Sequence, residues 1–175
     1  MRVTDLLQDT LVEIERFVGQ SGWDQRPQLF ALAHTVDLLA KEPALAASLG
    51  LAVDDLPAGA LTPVEQDPLP DGPLDEALAQ IGWPAEVVGA ALVQEVVMLP
   101  PDVEAQLPRH ADVLEWAAER PERREARLGV AVLRDGTRSC TVRLRGAPDE
   151  DDLLVGTDLA PNLAAALLAT LEVTG

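Results

Sequence analysis

The stretch from Arg123 to Arg145 constrains the fold most, because it has the pattern of two strands joined by a tight turn. Apolar residues alternate with small or polar ones on both sides of Asp135-Gly136, which is typical of a β-hairpin. A two-residue turn would place apolar side chains opposite polar ones. A three-residue loop with a left-handed Gly136 instead sets Val130 opposite Cys140 and collects the apolar residues on one face. We therefore predict the three-residue loop, with the Cys140 thiol buried and inert.

The hairpin also concentrates positive charge. Eight of the thirteen basic residues lie between Arg120 and Arg145, in a chain whose formal net charge is −17. In the predicted register Arg127 faces Arg143, and like charges opposite each other across strands are destabilising. Two explanations stay open: the arginines pair with the protein's own carboxylates, residues 149–152 among them, or they dock an acidic partner segment or a phosphorylated ligand. The candidate docking face comprises Arg127, Arg143, Arg145, Ser139 and Thr141.

Other strand patterns indicate an antiparallel sheet. Residues 86–99 are apolar on both faces over much of their length, as in a central strand. Residues 61–65 include Pro63, which confines a strand to the edge of a sheet. Pro27–Leu39 fits either a strand followed by a helix or a helix throughout. We predict an α+β fold in which helices cover mainly one face of a mainly antiparallel sheet of four or five strands.

Helical patterns occupy both ends of a single predicted domain, residues 1–175. Residues 1–20 form an amphipathic helix, and residues 159–172 carry leucines among alanines with almost no charge. A helix this apolar must be buried, either in the core or between subunits. Its three candidate core or interface residues are Leu163, Leu167 and Leu171. Further predicted segments are a Pro-rich acidic connector over 51–72 and helices from Pro73 to Ile81 and from Ala111 to Glu119.

Composition bounds the classes of function. The net charge of −17 disfavours binding to nucleic acid or anionic membranes, and no stretch is long and apolar enough to cross a bilayer. A single cysteine excludes an intrachain disulfide framework and suits a reducing compartment. We expect a cytoplasmic protein that neither binds nucleic acid nor inserts into membranes.

Patterns of known chemistry do not occur in the sequence. The glycines are scattered rather than forming a phosphate-binding loop, His34 and His110 stand apart, and no serine lies in a nucleophile-elbow motif. We predict no catalytic residue, no metal site and no cofactor.

Several short motifs spread over nearly the whole chain carry a family resemblance. They are Gly22-Trp23-Asp24-Gln25 with Pro27 and Leu29-Phe30-Ala31-Leu32, Leu61-Thr62-Pro63-Val64-Glu65-Gln66, Ile81-Gly82-Trp83-Pro84 and Val132-Leu133-Arg134-Asp135-Gly136. Together they resemble a family of small, acidic, uncharacterised actinobacterial proteins. The resemblance implies a cytoplasmic protein from a GC-rich genome, and it assigns no activity and no catalytic residues.

Two hypotheses of function follow. The first is a non-enzymatic protein-interaction module, such as an adaptor, an assembly factor or a regulatory subunit, with a protein partner or as a homodimer. The second is a small-molecule-binding protein or an enzyme whose site lies between the sheet and its helices. A pocket with several convergent polar groups would favour the second hypothesis, and a flat apolar or charged patch would favour the first.

Overall fold

The computed structural model describes residues 3–41, 44, 59–67, 69, 74–98, 124–145, 153–157 and 159–172. The predicted helix at 111–119, the acidic run at 149–152 and most of the connector at 51–72 lie outside these residues. In chain order the described elements are α1 (Val3–Gly19), β1 (Gln28–His34), α2 (Thr35–Lys41), β2 (Leu61–Glu65), α3 (Leu74–Ala79), β3 (Val87–Met98), β4 (Arg124–Leu133), β5 (Arg138–Leu144), β6 (Leu154–Gly156) and α4 (Pro161–Glu172).

The described strands form one six-stranded sheet with the order β2-β1-β3-β4-β5-β6, and every neighbouring pair is antiparallel. The α+β class and the central place of β3 are confirmed, and Pro27–Leu39 contains a strand followed by a helix. The prediction of four or five strands was wrong. The additional strand, β6, spans only Leu154–Gly156, which is too short to show an alternating pattern.

The hairpin has the predicted register. Val130 pairs with Cys140, and Gly136 has a φ of 94°. The Leu133 N–H donates to the Thr137 carbonyl at 2.8 Å, which closes a three-residue loop. Within that loop the Asp135 carboxylate accepts the Thr137 N–H at 2.8 Å, and this hydrogen bonding lowers the pKa of Asp135. Burial of one apolar face therefore selects the register, as argued from the sequence.

Helices cover both faces of the sheet, so the prediction that they cover mainly one face was wrong. Buried side chains of α1 pack on one face against β1, β3 and β4, and those of α3 and α4 pack on the other. Along β3, Leu92 belongs to the core under α4 and Val93 to the core under α1. Central strands that are apolar on both faces require this double cover.

The α1 helix approaches β4 closely because small residues line the strand beneath it. A Cβ added to Gly129 would lie 2.5 Å from Thr141 Oγ1 and 3.3 Å from Leu11 Cδ1. Glycine at position 129 therefore leaves just enough space for the leucine of the helix and the threonine of the neighbouring strand.

The C-terminal helix packs into the core of the same chain. Leu167 and Leu171 are fully buried, and Leu163 is partly buried at the margin of that core. The Trp83 indole N–H donates to Thr170 Oγ1 at 2.9 Å, which supplies the polar group of this buried tryptophan with a partner. The core role of Leu167 and Leu171 therefore accounts for their spacing without a second subunit.

Candidate functional site

A buried ionic triad joins α1 to the hairpin. Glu15 projects from α1 between Arg127 and Arg143, which face each other across β4 and β5. Arg127 Nη1 donates to Glu15 Oε1 at 3.1 Å, while Arg143 donates from Nε to Oε1 at 2.7 Å and from Nη2 to Oε2 at 3.2 Å. The side chains of Glu15 and Arg127 are only 2% and 3% exposed. The carboxylate thus offsets the repulsion between two arginines that the strand register forces together.

Trp23 lies against this triad. Its ring centroid is 4.5 Å from the Arg127 guanidinium carbon and 5.5 Å from that of Arg145, which are cation–π distances. Arg145 donates to Asp24 Oδ1 at 2.9 Å and to Glu125 Oε2 at 2.7 Å. The hydrogen bond and charge of Arg145 lower the pKa of Asp24, and hydrogen bonds to the two carboxylates raise the pKa of Arg145.

The segment Gly22–Gln25 forms the corner after α1. Gly22 and Asp24 adopt φ values of 81° and 66°, so the chain reverses sharply there. Glu95 of β3 accepts the backbone N–H groups of Asp24 at 2.9 Å and Gln25 at 2.8 Å. The Gln25 amide in turn donates to the carbonyls of Val18 and Gly22, at 2.9 and 2.6 Å. One of the segments that carry the family resemblance, Gly22–Gln25, therefore helps to fix α1 to the sheet.

The predicted docking face does not lie open. Ser139 and Thr141 are buried under α1, and so is Arg127. Arg143 and Arg145 remain partly exposed. The small residues of the hairpin do form a docking surface, but their occupant is the protein's own helix.

A hollow of about 430 Å³ lies beside the triad, at the end of α1. It is lined by Glu15, Arg16, Gly19, Gln20, Trp23, Arg127 and Arg143. Its side chains are polar and convergent, and its volume falls in the usual range of small-molecule sites, about 300–1,000 Å³.

A second concave surface, here named the Phe17 groove, lies between α1 and the edge strand β2. It consists of two hollows of about 440 and 280 Å³ that share Phe17 and Glu65. Phe17 is 50% exposed and contacts Phe30 edge to face, with ring centroids 6.3 Å apart. The smaller hollow is lined by Glu13, Ile14, Phe17, Phe30, Pro63 and Glu65. Large apolar side chains and two carboxylates therefore meet at one surface.

Within the described ranges, no group of three or more histidine, cysteine, aspartate or glutamate side chains is placed to hold a metal ion. The Cys140 thiol is buried and lies 3.7 Å from the Thr157 carbonyl oxygen. None of the described helices is both long and apolar enough to span a membrane.

A family model described as PPA1309-like protein matches residues 7–172, almost the whole chain. The chain belongs to the PPA1309-like family. No curated protein and no solved structure matches it. The match places the chain among uncharacterised proteins, in agreement with the resemblance seen in the sequence.

In this member of the PPA1309-like family, the arginines and the pairing of Arg145 with Glu125 follow from the sequence, whereas Glu15 and Asp24 were not predicted as partners. Glu15 follows Leu7 and Leu11 at intervals of four residues, so it lies on the apolar stripe of α1. A carboxylate on such a stripe needs a buried cation, and this was the signal for the triad. Nothing in the sequence pairs Glu95 with the corner at Asp24, because the two lie 71 residues apart.

Proposed function

We propose that the protein is a non-enzymatic interaction module and that the Phe17 groove binds a basic segment of a partner protein. The observation that carries this proposal is the half-exposed Phe17 ring, which lies between two hollows beside the edge of the sheet. On the other side of α1, Arg127 and Arg143 already pair with Glu15, and Arg145 already pairs with Asp24. The groove offers apolar surface that the fold itself does not cover.

Charge defines the chemistry of the partner. Glu13 and Glu65 line the smaller hollow, and neither carboxylate forms an ion pair with a described residue, while Arg26 lines the larger hollow together with Glu65. No basic residue lines that hollow, and the whole chain carries a net charge of −17. A partner segment with an apolar side chain next to lysine or arginine complements both features.

The edge of β2 favours contact through side chains over extension of the sheet. Two backbone hydrogen bonds show which residues of β2 face β1. The Thr35 N–H donates to the Ala60 carbonyl, and the Gln66 N–H donates to the Leu29 carbonyl. By alternation, the backbone groups of Pro63 point away from β1, towards the open edge. Proline has no N–H, so a strand added there would lack a hydrogen bond at its centre. We therefore expect the partner to insert side chains into the hollows.

Photo-crosslinking from position 17 tests this proposal. The full chain with p-benzoylphenylalanine in place of Phe17 is expected to crosslink, in lysate of its host, to a protein segment that carries lysine or arginine beside an apolar residue. Mass spectrometry identifies the crosslinked segment. The matched control places the same crosslinker at Leu154, which is 62% exposed on β6.

Charge reversal supplies the second arm. The Glu13→Lys and Glu65→Lys double variant should remove the partner captured from position 17 and leave the fold intact, because both side chains are exposed. Crosslinks only to a second copy of the chain, with a dimer in light scattering, would assign the groove to self-association instead. An unchanged set of captured proteins would refute the charge argument.

The proposal also covers the source of the protein, its location in the cell and its lack of nucleic-acid binding. We propose an actinobacterial, cytoplasmic protein that binds no nucleic acid. The net charge of −17, the single cysteine and the near-absence of lysine among thirteen basic residues support it.

A further inference from the structure

The hollow beside the triad, of about 430 Å³, carries an inference that is independent of the Phe17 groove, because the two surfaces share no lining residue. Three arginines and one glutamate line it, so its local charge is positive in a strongly acidic protein. The net negative charge of the protein repels anions from most of its surface. A positively charged hollow is therefore a local exception at which an anion can bind.

Arg16 contributes a cation that pairs with none of the residues the structure describes. Its side chain is exposed, and no described residue accepts a hydrogen bond from its guanidinium. It lines the hollow together with Gln20, which directly follows α1 and donates its backbone N–H to the Arg16 carbonyl at 3.2 Å. A guanidinium and a side-chain amide that line one hollow are donors suited to the oxygen atoms of an anion.

Arg127 adds a second observation. Its Nη1 donates to Glu15 and its Nη2 donates to the Gly22 carbonyl, but its buried Nε has no acceptor among the described residues. A buried donor without an acceptor costs about 1–3 kcal/mol, so it persists where something else is gained. The Arg127 side chain lies against Trp23 and lines the hollow.

We propose that this hollow binds the phosphate group of a small phosphorylated ligand. The charge of its lining residues is three arginines against one glutamate, a net +2, which matches a phosphate monoester of about −2 at pH 7.5. Arg16 and Gln20 bind the phosphate oxygens, and Arg127 and Arg143 supply fixed positive charge while they keep Glu15 between them. The volume leaves room for the organic part of a small ester.

The test is a titration of the ¹⁵N-labelled full chain, followed by NMR at pH 7.5 and constant ionic strength. The probes are phenyl phosphate, inorganic phosphate and benzoate. Phenyl phosphate is expected to cause saturable shifts of the Arg16 and Gln20 amides and of the Trp23 indole, which is assigned by its loss in Trp23→Phe. Inorganic phosphate should shift the same signals more weakly, and benzoate, with one charge, should not shift them at saturation.

Two variants distinguish binding at the hollow from a general attraction of anions to positive charge. Arg16→Gln should weaken phenyl phosphate binding roughly fivefold, the effect of one exposed charge contact. Arg26→Gln removes the same charge from the Phe17 groove and should leave the affinity unchanged. The absence of saturable shifts with phenyl phosphate would overturn the proposal. Equal binding of benzoate, or equal effects of the two variants, would overturn it as well.

Discussion

Replacing Glu15 by glutamine should destabilise the protein severely, because it leaves two arginines facing each other with no anion between them. Glu15 accepts three hydrogen bonds from Arg127 and Arg143, at 3.1, 2.7 and 3.2 Å. Breaking a buried ion pair by removing one partner costs about 3–5 kcal/mol. Arg143 is 15% exposed and can turn partly towards water, so the lower end, about 3 kcal/mol, is expected.

Thermal and urea unfolding followed by circular dichroism measure this loss. In a protein of 175 residues, 1 kcal/mol lowers Tm by about 2–4 °C, so the expected decrease is roughly 6–12 °C. Glu13→Gln is the matched control, since Glu13 is exposed on the same helix and should change stability by less than about 0.5 kcal/mol.

A double variant tests the cause. Adding Arg127→Met to Glu15→Gln removes one of the two facing cations, so part of the lost stability should return. A loss below about 1 kcal/mol in Glu15→Gln would show that the triad does not hold α1 to the hairpin. Additive losses in the double variant would show that repulsion between the arginines is not the reason.

Three further predictions concern the core, the helix contact and pH. Leu167→Ala should cost about 2–5 kcal/mol in urea unfolding, because Leu167 is fully buried, whereas Leu154→Ala should be nearly neutral. Gly129→Ala should cost about 1–3 kcal/mol, since its Cβ would lie 2.5 Å from Thr141 Oγ1. Arg145 lowers the pKa of Asp24 below its usual 3.8, so the pair stabilises the fold above pH 3.8 and this contribution disappears as the pH falls through the lower folded value. Asp24→Asn should remove that segment of the acid-unfolding curve, and an unchanged curve would contradict the pairing.

The sequence was sufficient for the hairpin because burial decides between registers that differ by one residue. Val130 opposite Cys140 follows from collecting apolar side chains on one face, with no knowledge of the rest of the fold. The central place of β3 likewise follows from its apolar residues on both faces. Apolar residues on both faces of β3 also require helices on both faces of the sheet. The small residues on the non-apolar face of the hairpin lie under one of these helices, α1.

The candidate site was less predictable because its parts come from distant segments. Arg127 and Arg143 could be paired from the hairpin alone, whereas Glu15 lies 112 and 128 residues from them. Alternation and helical periodicity describe which face of an element is buried, but not which two elements meet. The Phe17 groove belongs to the same class, since it forms where α1 passes the edge strand β2.

The distance along the chain between α1 and its partners has a consequence during synthesis. The helix leaves the ribosome more than a hundred residues before Arg127, which at 5–20 residues per second is on the order of ten seconds. During that time β1 and β3 have been synthesised, but the hairpin strands β4 and β5, which complete the surface under α1 and hold the partners of Glu15, have not. Nascent chains arrested before Arg127 should therefore be cleaved by protease within α1, whereas released full-length chains should be protected there. Protection in the arrested chains would mean that another contact covers the helix before the hairpin exists.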